Sequence, residues 1–246
     1  MNDQIKKKII RSIVEVSYLK KEGHIASSLS VLDILYVLYR DFIDGTNKFV
    51  LSKGHASLGL YSILNHFNLL EDDIKTFGDF DSNLGGHPSN KIDHVECATG
   101  SLGHGFPFAL GMSMSKKIKG ESGKVFVVIG DGESNEGTIW ETALLASHHK
   151  LNNLCCILDH NHSTDRSLDM GDLLSKFKSF GWEVDEVNGH NHIDLKEKFS
   201  KQTQKPHFIL ANTIKGKGIP MMENNPEWHH KFPNKEQYDF ILKNNA

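Results

Sequence analysis

The stretch Lys124-Val125-Phe126-Val127-Val128-Ile129-Gly130-Asp131-Gly132 is the part of this chain that decides its fold. A continuous apolar run rich in β-branched residues is typical of a central parallel strand that helices cover on both faces. Helical periodicity follows over residues 138–150, and a second apolar run follows over residues 154–159. This order of strand, helix and strand predicts a βαβ unit.

The same alternation continues on both sides of this unit. Ser30 precedes an apolar helical segment and is expected to cap it. Residues 79–96 are rich in glycine, proline and polar side chains and are expected to form a loop. We therefore predict an α/β protein with a doubly wound, mostly parallel sheet flanked by helices, formed by residues 1–246 as a single domain. The remaining predicted strands cover residues 49–51, 182–184 and 207–211, and the other predicted helices cover residues 5–21, 31–39, 58–69, 106–119 and 234–244.

Composition excludes several classes of function. The formal net charge is −3 and the isoelectric point is about 6.6, so no basic field points to nucleic acid or to a membrane surface as a partner. The apolar runs are too short to span a bilayer, and the N-terminus has no signal-peptide core. The adjacent Cys155 and Cys156 lie in an apolar run and, with Cys97, are expected to be thiols. We expect a cytoplasmic protein.

Polar side chains follow the two strands of the βαβ unit, where each strand ends. Asp131 follows the first strand, and Asn161 follows the second. Because the carboxyl ends of parallel strands meet at one edge of a sheet, these side chains are expected to lie close together. Carboxylate and amide oxygens suit Mg²⁺, and the flanking Gly130 and Gly132 leave room for a bulky anion. The pattern predicts a metal–diphosphate site, while a turn with a purely structural role is the alternative.

Gly130-Asp131-Gly132 followed by Asn161 resembles the thiamine diphosphate motif. Other segments resemble those of the transketolase family, in the order in which that family carries them, so the resemblance covers nearly the whole chain. These segments are Gly23-His24, Leu51-Ser52-Lys53-Gly54-His55, Gly86-His87-Pro88, Thr99-Gly100-Ser101-Leu102-Gly103, Thr213-Ile214-Lys215-Gly216-Lys217-Gly218 and Met222-Glu223-Asn224-Asn225-Pro226-Glu227-Trp228-His229.

This resemblance implies the thiamine diphosphate-binding fold, in its diphosphate-binding form, and assigns a cofactor and a metal. Asp131, Asn161 and the backbone carbonyl of Ser163 would bind Mg²⁺, or Ca²⁺ or Mn²⁺ in its place. The residues expected along thiamine diphosphate are His55, Gly100, Ser101, Leu102, Gly130, Asp131, Gly132, Glu133 and Asn161.

The resemblance also implies a set of catalytic residues. His24, His55, His87 and His229 would project into the active site, where neutral imidazole can bind sugar hydroxyls and move protons. Taken singly, each of these histidines is also compatible with a structural role. Glu136 matches a family glutamate near a subunit interface, with a solvent-facing carboxylate at a helix start as the alternative. The implied activity is the transfer of a two-carbon ketol unit from a ketose to an aldose.

The chain departs from the family at Ile25-Ala26-Ser27-Ser28, at His104 and at His230. It is also expected to lack the second, pyrimidine-binding domain, which implies a C-terminal partner subunit of about 300 residues. Two copies of each of the two proteins, acting on a sugar or a sugar phosphate, would form the enzyme. The alternatives are a component of a 2-oxo acid dehydrogenase and a non-catalytic subunit that regulates a partner.

Overall fold

The strand formed by residues 125–130 lies in the middle of the sheet. The computed structural model describes residues 1–21, 23–164 and 168–244. In it, β2 (Val125–Gly130) is buried along its whole length. It lies between β1 (Lys48–Leu51) and β3 (Leu154–His160), to which it pairs in parallel. The run of Val and Ile is therefore explained by neighbours on both edges and on both faces.

Five parallel strands make up the sheet within the described part of the chain, in the order β1-β2-β3-β5-β4. The last two strands are β5 (His207–Asn212) and β4 (Glu183–Asn188), and β4 forms one edge. The prediction for residues 182–184 placed this strand correctly but stopped it too early. Its extension contains Asp185 and Glu186, which are polar, and an edge strand accommodates polar residues because one side faces solvent.

Helices cover both faces of the sheet, and the side chains of β2 alternate between two cores. Phe126 and Val128 pack in one core, and Val127 and Ile129 pack in the other. The predicted doubly wound, parallel architecture is confirmed. The α-helices are α1 (Asp3–Lys20), α2 (Ile25–Ser30), α3 (Leu32–Asp41), α4 (Ser57–His66), α5 (Gly105–Lys119), α6 (Gly137–His148), α7 (Leu173–Ser179), α8 (His192–Ser200) and α9 (Lys235–Asn244).

The predicted capping role of Ser30 is wrong. Ser30 is the last residue of α2, and Val31 occupies the cap position of α3 without a side-chain hydrogen bond. The Ser30 hydroxyl instead donates to the carbonyl of Ser27 (3.1 Å) and lies 2.6 Å from the carboxylate of Asp159. A capping serine would have to accept a backbone N–H of α3, whereas this hydroxyl is bound to a buried carboxylate, so a tertiary contact decides the role of Ser30.

Residues 79–96 contain turns and bends without helix or strand, as predicted. Four short 3-10 helices complete the described structure at Gly54–Ala56, Ile74–Thr76, Asp131–Asn135 and Pro226–Trp228. All three cysteines, each within the described residues, are buried free thiols. In the parts of the chain that the structure describes, every helix is too short or too polar to cross a membrane.

Candidate active site

The carboxyl ends of β2 and β3 bring the predicted metal ligands to one edge of the sheet. Gly130, the last residue of β2, is paired with Asp159 of β3. Asp131 follows immediately on the first strand, and Asn161 follows two residues after Asp159 on the second. Both ligand side chains are buried, at 5% and 4% exposure.

Asp131 forms hydrogen bonds with Ser163, the third predicted ligand residue. One carboxylate oxygen accepts from the Ser163 backbone N–H (2.7 Å), and the other accepts from the Ser163 hydroxyl (2.8 Å). The second oxygen also accepts from the N–H of Gly132 at 2.8 Å. These bonds hold the loop after β3 against the loop after β2.

Asn161 provides the test of whether these residues fit a metal ion. Its amide nitrogen donates to Asp159 Oδ2 (3.1 Å) and to the Ser30 hydroxyl (3.2 Å), so both amide hydrogens are used. Its Oδ1 is buried and has no hydrogen-bond partner among the described residues. A buried acceptor without a partner is costly, and a cation would satisfy it. Oxygen donors such as this amide and the Asp131 carboxylate suit Mg²⁺, Ca²⁺ or Mn²⁺, so the residues fit the predicted ion.

A cavity of about 330 Å³ lies over these residues and gathers most of the predicted site. It is adjoined by a second cavity of about 400 Å³, which shares Asn161, Ser163 and His229 with the first and adds Lys215. Of the predicted residues, the first cavity is lined by His24, His55, His87, Gly100, Leu102, Gly130, Asp131, Gly132, Glu133, Asn161, Ser163 and His229. These functional assignments stay predictions, but the fold has placed the residues together.

Three of the cavity histidines, His24, His55 and His229, form a cluster of rings whose pKa values are all lowered. The ring centroid of His24 lies 5.1 Å from that of His55 and 5.9 Å from that of His229. Burial, with the neighbouring His230 next in effect, lowers the pKa of His24 to about 4. Burial and the nearby Lys53 lower the pKa of His55 to about 2, and burial also lowers the pKa of His229. At neutral pH these imidazoles can both donate and accept hydrogen bonds, as recognition of sugar hydroxyls requires.

The glycine-rich segment after residue 98 packs closely on His87. Gly100 has φ of +144°, and a Cβ on it would lie 2.9 Å from His87 Cγ. A residue with a side chain would therefore push the segment off the imidazole. Leu102 is 39% exposed and lines the cavity, whereas the hydroxyl of Ser101 lies 3.1 Å from His104 Nδ1. Ser101 is not among the described cavity-lining residues, and its expected place along the cofactor stays a prediction.

Glu133 lines the cavity, but its oxygens already have partners. One oxygen accepts from the Ser52 hydroxyl (2.6 Å) and from the Gly103 N–H (2.8 Å), and the other accepts from the Gly130 N–H (2.9 Å). Burial raises the pKa of Glu133 against the opposing effect of these bonds. The carboxylate thus joins three segments of the cavity wall, and its contact with a cofactor stays a prediction.

Glu136 lies apart from the cavity. It is exposed and occupies the cap position at the start of α6. This placement agrees with the alternative of a solvent-facing carboxylate at a helix start, where the helix dipole favours it. The predicted role at a subunit interface also requires an exposed position, so it stays a prediction.

Two buried lysines belong to the site although the sequence analysis gave them no role. Lys53 is 1% exposed and forms an ion pair with the fully buried Asp159. Lys215 is 5% exposed, and its Nζ lies 3.0 Å from His229 Nδ1. Burial, with Lys53 next in effect, lowers the pKa of Lys215 to about 8. Both lysines lie within segments that resemble those of the transketolase family, and this resemblance could have indicated that they belong to the site.

Comparison with known proteins agrees with this geometry. Residues 3–238 match the family model described as transketolase, thiamine diphosphate binding domain. The chain is 35% identical to a protein from Phocaeicola vulgatus that is named as one subunit of an apulose-4-phosphate transketolase, covering 95% of this chain and 89% of that protein. It is 37% identical to the protein of the same name from Actinobacillus succinogenes, covering 90% and 87%.

A solved transketolase from Campylobacter jejuni shares the fold with a TM-score of 0.89 and 28% identity. The match covers all of this chain but 43% of that protein, so the chain spans less than half the length of that transketolase. The family match, the relatives and the fold agree: this chain belongs to the transketolase family and carries its thiamine diphosphate binding domain.

Proposed function

We propose that this chain is the cofactor-binding subunit of a two-subunit transketolase that depends on thiamine diphosphate and Mg²⁺. The observation that carries the proposal is the buried Oδ1 of Asn161, which has no hydrogen-bond partner among the residues that the structure describes. It lies in the cavity that Asp131, His24, His55 and His229 also line. Asp131, Asn161 and the carbonyl of Ser163 would hold the metal. The bound cofactor supplies an electron sink for carbon–carbon bond cleavage.

The chain's own residues would then handle charge and protons around the sugar. Lys215 is a buried cation beside the metal ligands and suits an anionic diphosphate. His24, His55 and His229 are uncharged at neutral pH and would orient ketose hydroxyls and exchange protons with them. His87 borders the same cavity next to Gly100 and would contact the bound sugar or cofactor.

The share of each relative's length that this chain matches supports a separate partner subunit. The two relatives named as single subunits of a transketolase are matched over 89% and 87% of their length, whereas full-length transketolase is matched over less than half. We infer a C-terminal partner of about 300 residues, in an assembly with two copies of each protein. The same relatives make apulose 4-phosphate the first donor to test, as a representative of phosphorylated ketoses.

The experiment is a reconstitution. The tagged chain is purified from its native cells, the copurifying C-terminal subunit is identified by mass spectrometry, and both are assayed with thiamine diphosphate and Mg²⁺. The pair should transfer a two-carbon unit from apulose 4-phosphate to an aldose phosphate, and the chain alone should not. Decarboxylation of a 2-oxo acid without ketol transfer would refute the proposal in favour of a 2-oxo acid dehydrogenase component. Binding of cofactor without either reaction would favour a regulatory role.

A further inference from the structure

A hydrogen-bond relay outside the cavity leads from a buried carboxylate to the backbone beside Lys215. Asp33, on α3, is 1% exposed. Its Oδ2 lies 2.8 Å from His190 Nδ1, in the loop between β4 and α8. The other ring nitrogen of His190, Nε2, accepts the backbone N–H of Ile214 at 2.9 Å. Ile214 directly precedes Lys215, so this imidazole joins the helical layer to the cavity wall.

These two contacts fix the protonation form of His190. A backbone N–H can only donate, so Nε2 must be the acceptor and carries no hydrogen. An ionised carboxylate can only accept, so the hydrogen lies on Nδ1. Asp33 stays ionised because His190, His192 at 2.8 Å and Lys6 at 2.7 Å hold its pKa well below the usual range, against the effect of burial. The ring of His190 is therefore neutral, with a defined tautomer.

The loop that carries His190 rests directly on the end of β5. The N–H of Gly189 donates to the carbonyl of Asn212 at 2.8 Å. A Cβ on Gly189 would collide with Thr213 Cγ2 and would lie 3.1 Å from the Asn212 carbonyl oxygen. The glycine thus permits an approach that any other residue would prevent. The N–H of His190 itself donates to Asn188 Oδ1 at 2.9 Å, which fixes the ring's attachment point.

The backbone around Lys215 is tethered on both sides. The N–H of Thr213 donates to the carbonyl of His160 (3.0 Å), and that of Gly216 donates to the carbonyl of Ala26 (3.0 Å). Between these two tethers, His190 holds the residue immediately before Lys215. The carbonyl of Lys215 also accepts from the N–H of Asn224 (2.9 Å). Losing His190 would therefore free the amide of Ile214 while these tethers remain, and would relax the orientation of the lysine side chain next to it.

We propose that His190 is a positioning residue that holds Lys215 at the cofactor cavity by binding the N–H of Ile214, and that Asp33 keeps His190 in the tautomer this requires. The ligand class that Lys215 would meet is an organic diphosphate. This inference rests on the proposed function for the identity of that ligand, but the relay itself can be tested without any ligand.

The first test is hydrogen–deuterium exchange of the full chain without cofactor, read by mass spectrometry on peptides spanning residues 183–200 and residues 211–219. His190→Phe removes the acceptor, and His190→Gln supplies a side-chain oxygen that can accept from Ile214. Exchange at Ile214 should accelerate about tenfold or more in His190→Phe, the effect of one lost hydrogen bond, and should stay near wild type in His190→Gln. His148→Phe, on the exposed end of α6, is the control and should change nothing in this segment.

Unchanged exchange at Ile214 in His190→Phe would overturn the proposal. So would equal acceleration in the Phe and Gln variants, or acceleration spread evenly over β4 and α8, because each indicates that the ring acts only by packing. If His190→Phe does not fold, loss of protection at Ile214 in the folded His190→Gln variant would overturn it as well.

The second test is a double-mutant cycle on thiamine diphosphate affinity, measured with Mg²⁺ on the chain with its copurified partner. His190→Phe and Lys215→Met should each weaken binding about tenfold, and the double variant should lose less than the product of the two. Independent, multiplicative losses would contradict coupling between His190 and Lys215. If wild type binds no cofactor, the proposed function fails, and the exchange experiment still decides on the relay.

Discussion

His24 and His55 are the residues whose environment differs most from that of an exposed imidazole. Their pKa values fall to about 4 and about 2, chiefly because burial disfavours the charged ring. Both stay neutral through the physiological range. A ring that is neutral at rest can take a proton from a sugar hydroxyl or share one with it, and an imidazolium cannot accept it.

The lowered pKa of His24 predicts a dependence of stability on pH. In the unfolded chain this ring binds a proton below its ordinary pKa of 6.5, whereas in the folded chain it stays neutral down to about 4. Unfolding therefore takes up a proton in this window, and the free energy of unfolding falls as pH drops from about 6.5 toward 4. Above that window the ring contributes no pH dependence.

His24→Asn should flatten this dependence. Between about pH 7.5 and pH 5, the variant should lose roughly 1 kcal/mol less of its free energy of unfolding than wild type, a figure reduced because the ring is partly exposed. Urea denaturation at both pH values measures it. His148→Asn, on an exposed ring, is the matched control and should follow wild type. Parallel pH dependence of His24→Asn and wild type would show that His24 is not held neutral.

At the scale of single residues, the sequence predicted which residues gather at the cavity better than it predicted how their side chains are oriented. The positions of Asp131, Asn161 and the four histidines followed from motifs at strand ends and in loops, and the fold gathers them around one cavity. Which atom of Asn161 faces the cavity depends on Asp159 and Ser30, which come from distant elements. No local pattern reports such contacts. For the same reason the sequence around His190 did not indicate its bond to the backbone of Ile214.

Among the elements, the 3-10 helix Asp131–Asn135 organises the cavity wall. It carries Glu133, whose carboxylate accepts from Ser52 after β1, from Gly103 before α5 and from Gly130 at the end of β2. Two loops that are far apart in sequence are thus held against the end of β2 by one buried side chain. The fixed distance between these loops determines the shape of the cavity.

Glu133→Ala should destabilise the chain by about 3 kcal/mol, because three buried donors lose their acceptor at once. Glu133→Gln should lower the free energy of unfolding by less. Its one oxygen can still accept a hydrogen bond, whereas its amide nitrogen faces another donor and cannot. Urea denaturation at neutral pH measures both. Glu141→Gln, an exposed glutamate on α6, serves as the control and should be neutral. A loss from Glu133→Ala no larger than that of the control would mean that the carboxylate does not join the loops.

Strands were easier to predict than short helices. Within the described residues, β1, β2, β3 and β5 each have a buried apolar run that stands out from its neighbours, whereas the edge strand β4 does not. The helices α7 and α8 were not predicted, because each buries only two apolar residues and so shows little helical periodicity. Each does begin with a side-chain cap, which is Asp172 in α7 and Asn191 in α8. The helix α2 was missed for the opposite reason, because all six of its residues are buried and show no polar face. Packing rather than local periodicity defines these helices.

At the scale of the whole molecule, the sheet order places the proposed metal ligands and the cavity histidines on one edge. The parallel strands β2 and β3 end side by side, and the segments after β1 and β5 bring Lys53 and Lys215 to the same edge. This arrangement brings the two buried lysines and the neutral rings of His24, His55 and His229 close to an amide oxygen of Asn161 that has no partner in the described part of the chain. A diphosphate with a divalent cation would complete the charge balance of this edge.

The measurement that tests the central claim most directly is a calorimetric titration of thiamine diphosphate into the chain with its C-terminal partner, with and without Mg²⁺. Wild type should bind the cofactor in Mg²⁺ and lose most of this affinity in a chelator. Asn161→Leu should weaken binding about a hundredfold, while Asn90→Leu, on an exposed asparagine, should bind like wild type. Equal binding by wild type and Asn161→Leu, or binding that is indifferent to Mg²⁺, would contradict the assignment of this edge as the metal–diphosphate site.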